Sequence, residues 1–252
     1  MALITSYTSV TFCVLCLLFA LHSPSQAQPK TTHQALTLSG IENSISNILT
    51  GQIITEAYRR IGVKVSIQYL PAARALAMST LGRTDGEISR IFNIGERHKN
   101  LVRVPVPYLH LKVKAFSIKP NVKINSPSDL AKYKNGVVNG IIFSDKLTKN
   151  YQRLKLASPY QLINMLVSRP NELDLVILSE ITGRILIAKR FPEAGIIMAS
   201  HSLHNIPSYH YLHESKKAWL PIIQISLKDM LESGEILKMK EAFILNSIKV
   251  NK

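Results

Sequence analysis

Cysteine is almost absent from this sequence. The two cysteines, Cys13 and Cys16, lie within the first 27 residues, so residues 28–252 contain none. A disulfide bond, a thiol nucleophile and a cysteine metal site are therefore excluded for that part of the chain. Residues 28–252 must fold around an ordinary hydrophobic core, and they are numerous enough for one large domain or two small ones.

Acidic residues are also few, because 16 Asp and Glu stand against 31 Lys and Arg, and the formal net charge is +15. The basic residues are scattered, however, without a dense basic run and without interleaved aromatic residues. We recognise no nucleic-acid-binding motif. The pattern predicts a basic, solvated surface whose field attracts anions, and it argues against nucleic acid as a partner.

The common catalytic motifs are missing as well. The sequence has no Gly-x-Ser-x-Gly turn, no phosphate-binding glycine loop and no metalloprotease helix, so we predict no enzymatic activity and no cofactor. An alternative is a metal-binding or metal-dependent protein that uses His201, His204, His210 and His213. Alternation along a strand would send His210 and His213 to opposite faces, so we predict no metal site.

The first residues have the pattern of a secretory signal. An apolar run at residues 10–21 is followed by Pro24 and by the small residues Ser25 and Ala27, which suit a cleavage site. The run is too short to span a membrane stably. Residues 1–27 are therefore predicted to be a cleaved signal peptide, although no Lys or Arg precedes the apolar run, and the protein is expected in the periplasm.

Periodicity in the remaining chain predicts alternating strands and helices. "VKVSIQY" (63–69) alternates as a half-buried strand does, and it is flanked by helical patterns in "GQIITEAYRRIG" (51–62) and "PAARALAMSTLG" (71–82). "GEISR" and "LVRVPV" are short strands. The second half repeats this rhythm, with capped helices beginning after Ser126, Ser158 and Ser179. The order predicts an α/β fold.

The order of these segments resembles a known family. "YLPAARALAMSTLGRTDGEISR", "ERHKNLVRVPVPYL" and "SPSDLAKYKNGVVNG" are similar to segments of the periplasmic solute-binding proteins of amino-acid ABC transporters (extracellular solute-binding protein family 3, type II periplasmic binding protein fold). The resemblance implies an α/β clamshell of two lobes, each a mixed sheet flanked by helices, joined by two hinge strands. It implies lobe 1 at 28–109 and 209–252, and lobe 2 at 110–208.

The resemblance also implies a function. The protein would be a monomeric, exported, non-enzymatic solute-binding protein that captures an amino acid or related carboxylate between its lobes. It would deliver this small-molecule solute to the membrane permease of an ABC importer. An orphan sensory ligand-binding domain is the alternative that keeps the same clamshell without a transporter.

Three charged residues are the main candidates for ligand contacts by this resemblance. Arg97 lies in an "ER" turn that matches the family's carboxylate-binding arginine, and a planar guanidinium suits a carboxylate. Arg90, at the end of "GEISR", could replace Arg97 or add a second cation. Glu180 matches the position of an acidic residue that holds the ligand ammonium, although an acid at a helix start is favourable by itself.

Five further residues are candidates from their positions alone. Ser39 and Glu42 follow the first strand, and Tyr69 ends the second strand, where its ring could form a wall. Asn139 and Ser144 flank a loop whose backbone donors could hold an anionic group. This loop has fewer glycines than the family usually carries there.

Overall fold

The computed structural model describes residues 35–249, so the predicted signal peptide at 1–27 lies outside the described residues. Ten strands alternate with helices along this part of the chain. The strands are β1 Ala35–Ile41, β2 Lys64–Leu70, β3 Gly86–Ile91, β4 Leu101–Arg103, β5 Leu109–Ser117, β6 Asn135–Val138, β7 Arg153–Leu156, β8 Leu175–Ser179, β9 Ile197–Met198 and β10 His204–His213.

Eight α-helices and two short 3-10 helices, Pro127–Lys132 and Glu214–Trp219, occupy the described chain between and after these strands. The α-helices are α1 Ile45–Arg60, α2 Ala72–Thr80, α3 Ile94–Arg97, α4 Ile142–Leu147, α5 Pro159–Ser168, α6 Glu180–Arg190, α7 Leu220–Glu232 and α8 Glu235–Lys249. In the part of the chain from 35 to 249, none is long and apolar enough to cross a membrane.

Side-chain caps fix several of the predicted helix starts. Ser158 accepts a hydrogen bond from the backbone N–H of Gln161, and Ser179 accepts one from Thr182. Ser126 and Asp129 form a capping box, but the segment they start is a 3-10 helix. These short polar side chains satisfy N–H groups that have no partner within the helix, so the sequence signals and the observed starts agree.

One continuous mixed sheet runs through the molecule in the order β2-β1-β3-β10-β5-β8-β6-β7, with β4 beside β10 and β9 beside β5. In one half, β1 is parallel to both β2 and β3. In the other half, β6 is parallel to both β7 and β8. We call the half with β1–β4 the first lobe and the half with β6–β9 the second lobe. The predicted two-lobed α/β fold is confirmed.

The antiparallel strands β5 and β10 join the two lobes. Ser208 of β10 lies opposite Ile91 at the carboxyl end of β3, whereas Val113 of β5 lies opposite both His204 and Ser179, the last residue of β8. The carboxyl ends of the strands in the two lobes therefore face each other. The gap between them spans four residues of β10, which is about 13 Å at about 3.3 Å per residue. The predicted lobe boundaries themselves stay a prediction.

Each lobe has its own apolar core, but one helix of the second lobe also contributes to the core of the first. The first core joins α1, β1, β3, α7 and α8, and the second lobe buries both faces of its sheet, with Leu175 and Ile177 on one and Val176 and Leu178 on the other. Ile181 and Ile185 of α6 belong to the first core and are 2% and 4% exposed. Helix α6 of the second lobe thus packs into the first.

A buried polar chain links α1 and β3 of the first lobe to the joining strand β10. The Nδ1–H of His210 donates to the carbonyl oxygen of Glu87 at 2.7 Å, and its Nε2 accepts from the hydroxyl of Tyr58 at 2.9 Å. His210 is fully buried. Desolvation lowers the pKa of its imidazole to about 4, so the ring is neutral near pH 7.

Acid should therefore destabilise the protein through His210. As pH falls below 6.5, the unfolded chain takes up a proton on this imidazole, but the folded chain does not do so until about pH 4. The free energy of unfolding should fall by about 3 kcal/mol across this window. Urea unfolding at a series of pH values, compared with His210→Gln, checks this. Identical pH profiles for the two proteins would contradict it.

Candidate functional site

The carboxyl ends of the parallel strands bring most of the predicted site residues to two facing edges. The first lobe places Glu42, Tyr69 and Arg90 at the ends of β1, β2 and β3. The second lobe places Asn139 and Glu180 just after β6 and β8. Ligands of open α/β sheets bind outside the carboxyl ends of the strands. The gap between the two edges is therefore the candidate site.

Arg90 makes a bidentate ion pair with Glu87 of its own strand. Its Nε lies 2.9 Å from Oε2 of Glu87, and its Nη2 lies 3.0 Å from Oε1. Nη2 also donates to the carbonyl oxygen of Ala72, and the hydroxyl of Ser79 donates to Glu87. Burial raises the pKa of the fully buried Glu87 carboxyl, and Arg90 opposes that shift. The guanidinium of Arg90 is therefore already occupied within the first lobe.

Arg97 differs from Arg90 because its side chain is exposed at the end of α3. Among the described residues it has no hydrogen bond or ion pair, so its guanidinium is free to bind an anion. The segment that precedes α3 is fixed by hydrogen bonds from Tyr211. The hydroxyl of Tyr211 lies 2.9 and 2.7 Å from the carbonyl oxygens of Ile91 and Phe92.

Beside this segment, Arg103 packs against the rings of Phe92 and Tyr209, an arrangement that was not predicted from the sequence. The Cζ of Arg103 lies 3.7 Å from the centroid of the Phe92 ring and 4.9 Å from that of Tyr209. The two rings meet edge to face, with centroids 5.8 Å apart. Nη1 of Arg103 also donates to the carbonyl oxygen of Phe92 at 3.1 Å. These residues come from β4, β10 and the loop after β3, so no local sequence signal joins them.

The side chain of Tyr69 packs closely against two glycines. A Cβ at Gly51 would lie 2.4 Å from the Tyr69 hydroxyl, and one at Gly40 would lie 3.0 Å from its ring. The ring packs where both side chains are missing, and it is still 39% exposed. Burial of the remainder raises the pKa of its hydroxyl. Glu42 is exposed, and its backbone N–H donates to the carbonyl oxygen of Leu70.

Two predicted serine contacts have partners inside their own lobes. Ser39 is fully buried, and its hydroxyl lies 2.7 Å from that of Thr84. Ser144 is also fully buried, and its hydroxyl donates to the carbonyl oxygen of Ile141 at 3.0 Å. Asn139 is exposed, and its backbone N–H donates to Leu156 of β7. Only Asn139 of these three presents its side chain to solvent.

Glu180 faces the C-terminal helix of the first lobe. Its Oε2 lies 3.6 Å from Nζ of Lys240, and its Oε1 lies 3.9 Å from Nη1 of Arg184. Arg184 is also 3.3 Å from Glu241. Oε2 is buried and makes no hydrogen bond to any described residue. Two side chains of α6, one acidic and one basic, therefore form a cluster of ion pairs with two side chains of α8, one basic and one acidic.

The histidines of the metal alternative do not come together. His210 is buried in the chain described above, and His213 caps a 3-10 helix by accepting from the backbone N–H of Ser215. His201 and His204 are exposed. Between residues 35 and 249, no group of three or more His, Cys, Asp or Glu side chains is placed to hold a metal ion.

Comparison with known proteins supports the fold. No protein-family model matches the chain. An uncharacterized protein from Shewanella oneidensis is 29% identical over 197 residues, which are 75% of this chain and 73% of that protein. An ancestral arginine-binding protein bound to arginine has a TM-score of 0.62 at 17% identity, over 83% of this chain and 97% of that one.

Two further solved structures broaden the comparison. The amino acid ABC transporter substrate-binding protein AbpA from Streptococcus pneumoniae, bound to L-arginine, has a TM-score of 0.59 at 22% identity, over 79% of this chain and 85% of that one. The chain has the fold of the periplasmic binding proteins. A histidine kinase sensor domain similar to periplasmic binding proteins matches at a TM-score of 0.63 and 13% identity, over 84% and 96% of the two chains.

Removing the Arg90 guanidinium should destabilise the first lobe. Arg90→Ala leaves the buried carboxylate of Glu87 without its partner, so the free energy of unfolding should fall by about 3 kcal/mol. The double variant Arg90→Ala with Glu87→Gln should recover part of this loss, because no unpaired charge remains. Urea unfolding measures both variants.

The control is Arg83→Ala, at an exposed arginine before the amino end of β3, which should change stability by less than about 0.5 kcal/mol. Unchanged stability of Arg90→Ala, together with weaker ligand binding, would instead support the predicted ligand role of Arg90.

Proposed function

We propose that this protein is an exported, non-enzymatic solute-binding protein of the amino-acid transporter type, and that its solute is an amino acid or a related carboxylate. The observation that carries this proposal is that the carboxyl ends of the strands in the two lobes face each other. A gap of about 13 Å is wide enough for a molecule of that size. A solute that touches both edges would favour the closed arrangement, because it gains contacts there that the open one lacks.

Arg97 is the proposed carboxylate ligand. Its guanidinium is exposed and lacks a partner among the described residues, and it can form two parallel charge-assisted hydrogen bonds to a carboxylate. Tyr69, Glu42 and Asn139 are proposed as further contacts because their side chains are exposed at the two edges. Arg90, Glu180, Ser39 and Ser144 support the edges through the intramolecular partners described above.

The proposed cellular role is delivery of the solute to the permease of an ABC importer. Residues 1–27 would direct export to the periplasm, and the protein would act there as a monomer. The similarity to a transporter substrate-binding protein supports this role. The basic surface, with a net charge of +15, would attract an anionic group toward the protein.

Sensing is a second candidate function, favoured by the similarity to a histidine kinase sensor domain. Deletion of the gene separates the two roles. A transport protein should be required for uptake of the radiolabelled solute, whereas a sensory domain should leave uptake intact and change the response of other genes to that solute.

A melting-temperature screen of residues 28–252 against amino acids and organic acids should identify a carboxylate that stabilises the protein. At about 100 times its dissociation constant, the solute should add about 2.7 kcal/mol to the free energy of unfolding. Arg97→Ala should remove this stabilisation, because it removes the charged donors, while leaving the unliganded melting temperature unchanged.

The matched control is Arg83→Ala, which removes the same charge from an exposed position before β3 and should keep full ligand stabilisation. Equal solute affinity in Arg97→Ala and the unmodified protein would exclude Arg97 as the carboxylate ligand. A screen in which only metals shift the melting temperature, reversibly by chelation, would overturn the whole proposal.

A further inference from the structure

We infer that the solute carries an apolar body of about the size of an aromatic ring beside its carboxylate, and that Phe92 forms the wall against which this body packs. The inference rests on the proposed function and specifies its ligand class. A binding protein holds in its cleft the surfaces that match its ligand, so the side chains exposed at the two edges indicate the class of the solute.

Large apolar side chains are exposed at both edges. In the first lobe, Ile91 and Phe92 at the end of β3 are 38% and 48% exposed, and Tyr69 at the end of β2, on the other side of β1, is 39% exposed. In the second lobe, Ile141 follows β6 and is exposed. Exposed apolar surface grouped around one gap indicates a binding site for an apolar group.

Phe92 is exposed and also fixed in position. Arg103 covers one face of its ring at 3.7 Å from the centroid, and Tyr209 contacts it edge to face. The backbone carbonyl of Phe92 accepts hydrogen bonds from Arg103 and Tyr211. A ring held in this way has little rotational freedom left to lose when a ligand packs against it, which favours binding.

The charges at the edges point to the same ligand class. Arg97, five residues after Phe92 in the same loop and helix, can hold a carboxylate while the rest of the solute extends toward the ring. Across the gap, the Glu180 carboxylate is turned toward Lys240 and Arg184. Among the described residues, the second edge therefore offers Ile141 rather than a free acid for a cationic side chain, and the exposed Glu42 of the first edge is left for the ammonium group of the solute.

Calorimetric titration of residues 28–252 with L-phenylalanine and L-glutamine tests the inference. These probes share their charged groups and differ only in the side chain. We expect phenylalanine to bind more tightly, and Phe92→Ser to weaken phenylalanine binding about tenfold while changing glutamine binding less than about twofold. Phe92→Leu, which keeps an apolar side chain, should fall between the two.

The control is Leu81→Ser, which removes an exposed apolar side chain at the end of α2, before the amino end of β3, and should leave both affinities unchanged. An equal loss for both probes in Phe92→Ser would mean that the ring serves lobe closure rather than recognition, which would overturn the inference. Tighter binding of glutamine in the unmodified protein would also overturn it, although a glutamine complex that requires Arg97 would leave the proposed function intact. If no carboxylate binds at all, the proposed function fails as well.

Discussion

The pairing of β5 with β10 is the constraint on which the rest of this structure depends. These two antiparallel strands are shared by both lobes, and their register sets the separation between the end of β3 and the end of β8. The parallel strands on either side point their carboxyl ends toward this shared segment. A cleft between two sets of strand ends follows from the topology, before any individual side chain is considered.

The polar side chains near this segment divide into two kinds. Glu87, Arg90, His210 and Tyr58 satisfy one another inside the first lobe, and they fix the backbone where β3 meets β10. Arg97 remains solvent-exposed at the end of α3, and the segment that precedes this helix accepts hydrogen bonds from Tyr211. Buried polar groups with complete partners make a rigid frame, and a rigid frame lets an exposed charge be presented in a defined place.

The fold was largely predictable from the sequence because its local signals are strong. The alternation at 63–69 and the capping serines at 158 and 179 correspond to β2, α5 and α6. The roles of individual site residues were less predictable. Residues 87 and 90 point to opposite faces of an ideal strand, so their spacing does not suggest an ion pair. The Phe92, Arg103 and Tyr209 stack depends on sheet pairing between distant segments, which periodicity cannot reveal.

Helix α6 has a consequence for how the molecule folds. Its residues Ile181 and Ile185 complete the core of the first lobe, although the helix follows directly from a strand of the second. The first half therefore does not contain all of its own interior, and a fragment of it without α6 would leave apolar surface uncovered. We therefore expect the loss of α6 from the second lobe to destabilise the first lobe as well, so that unfolding of the two lobes is coupled.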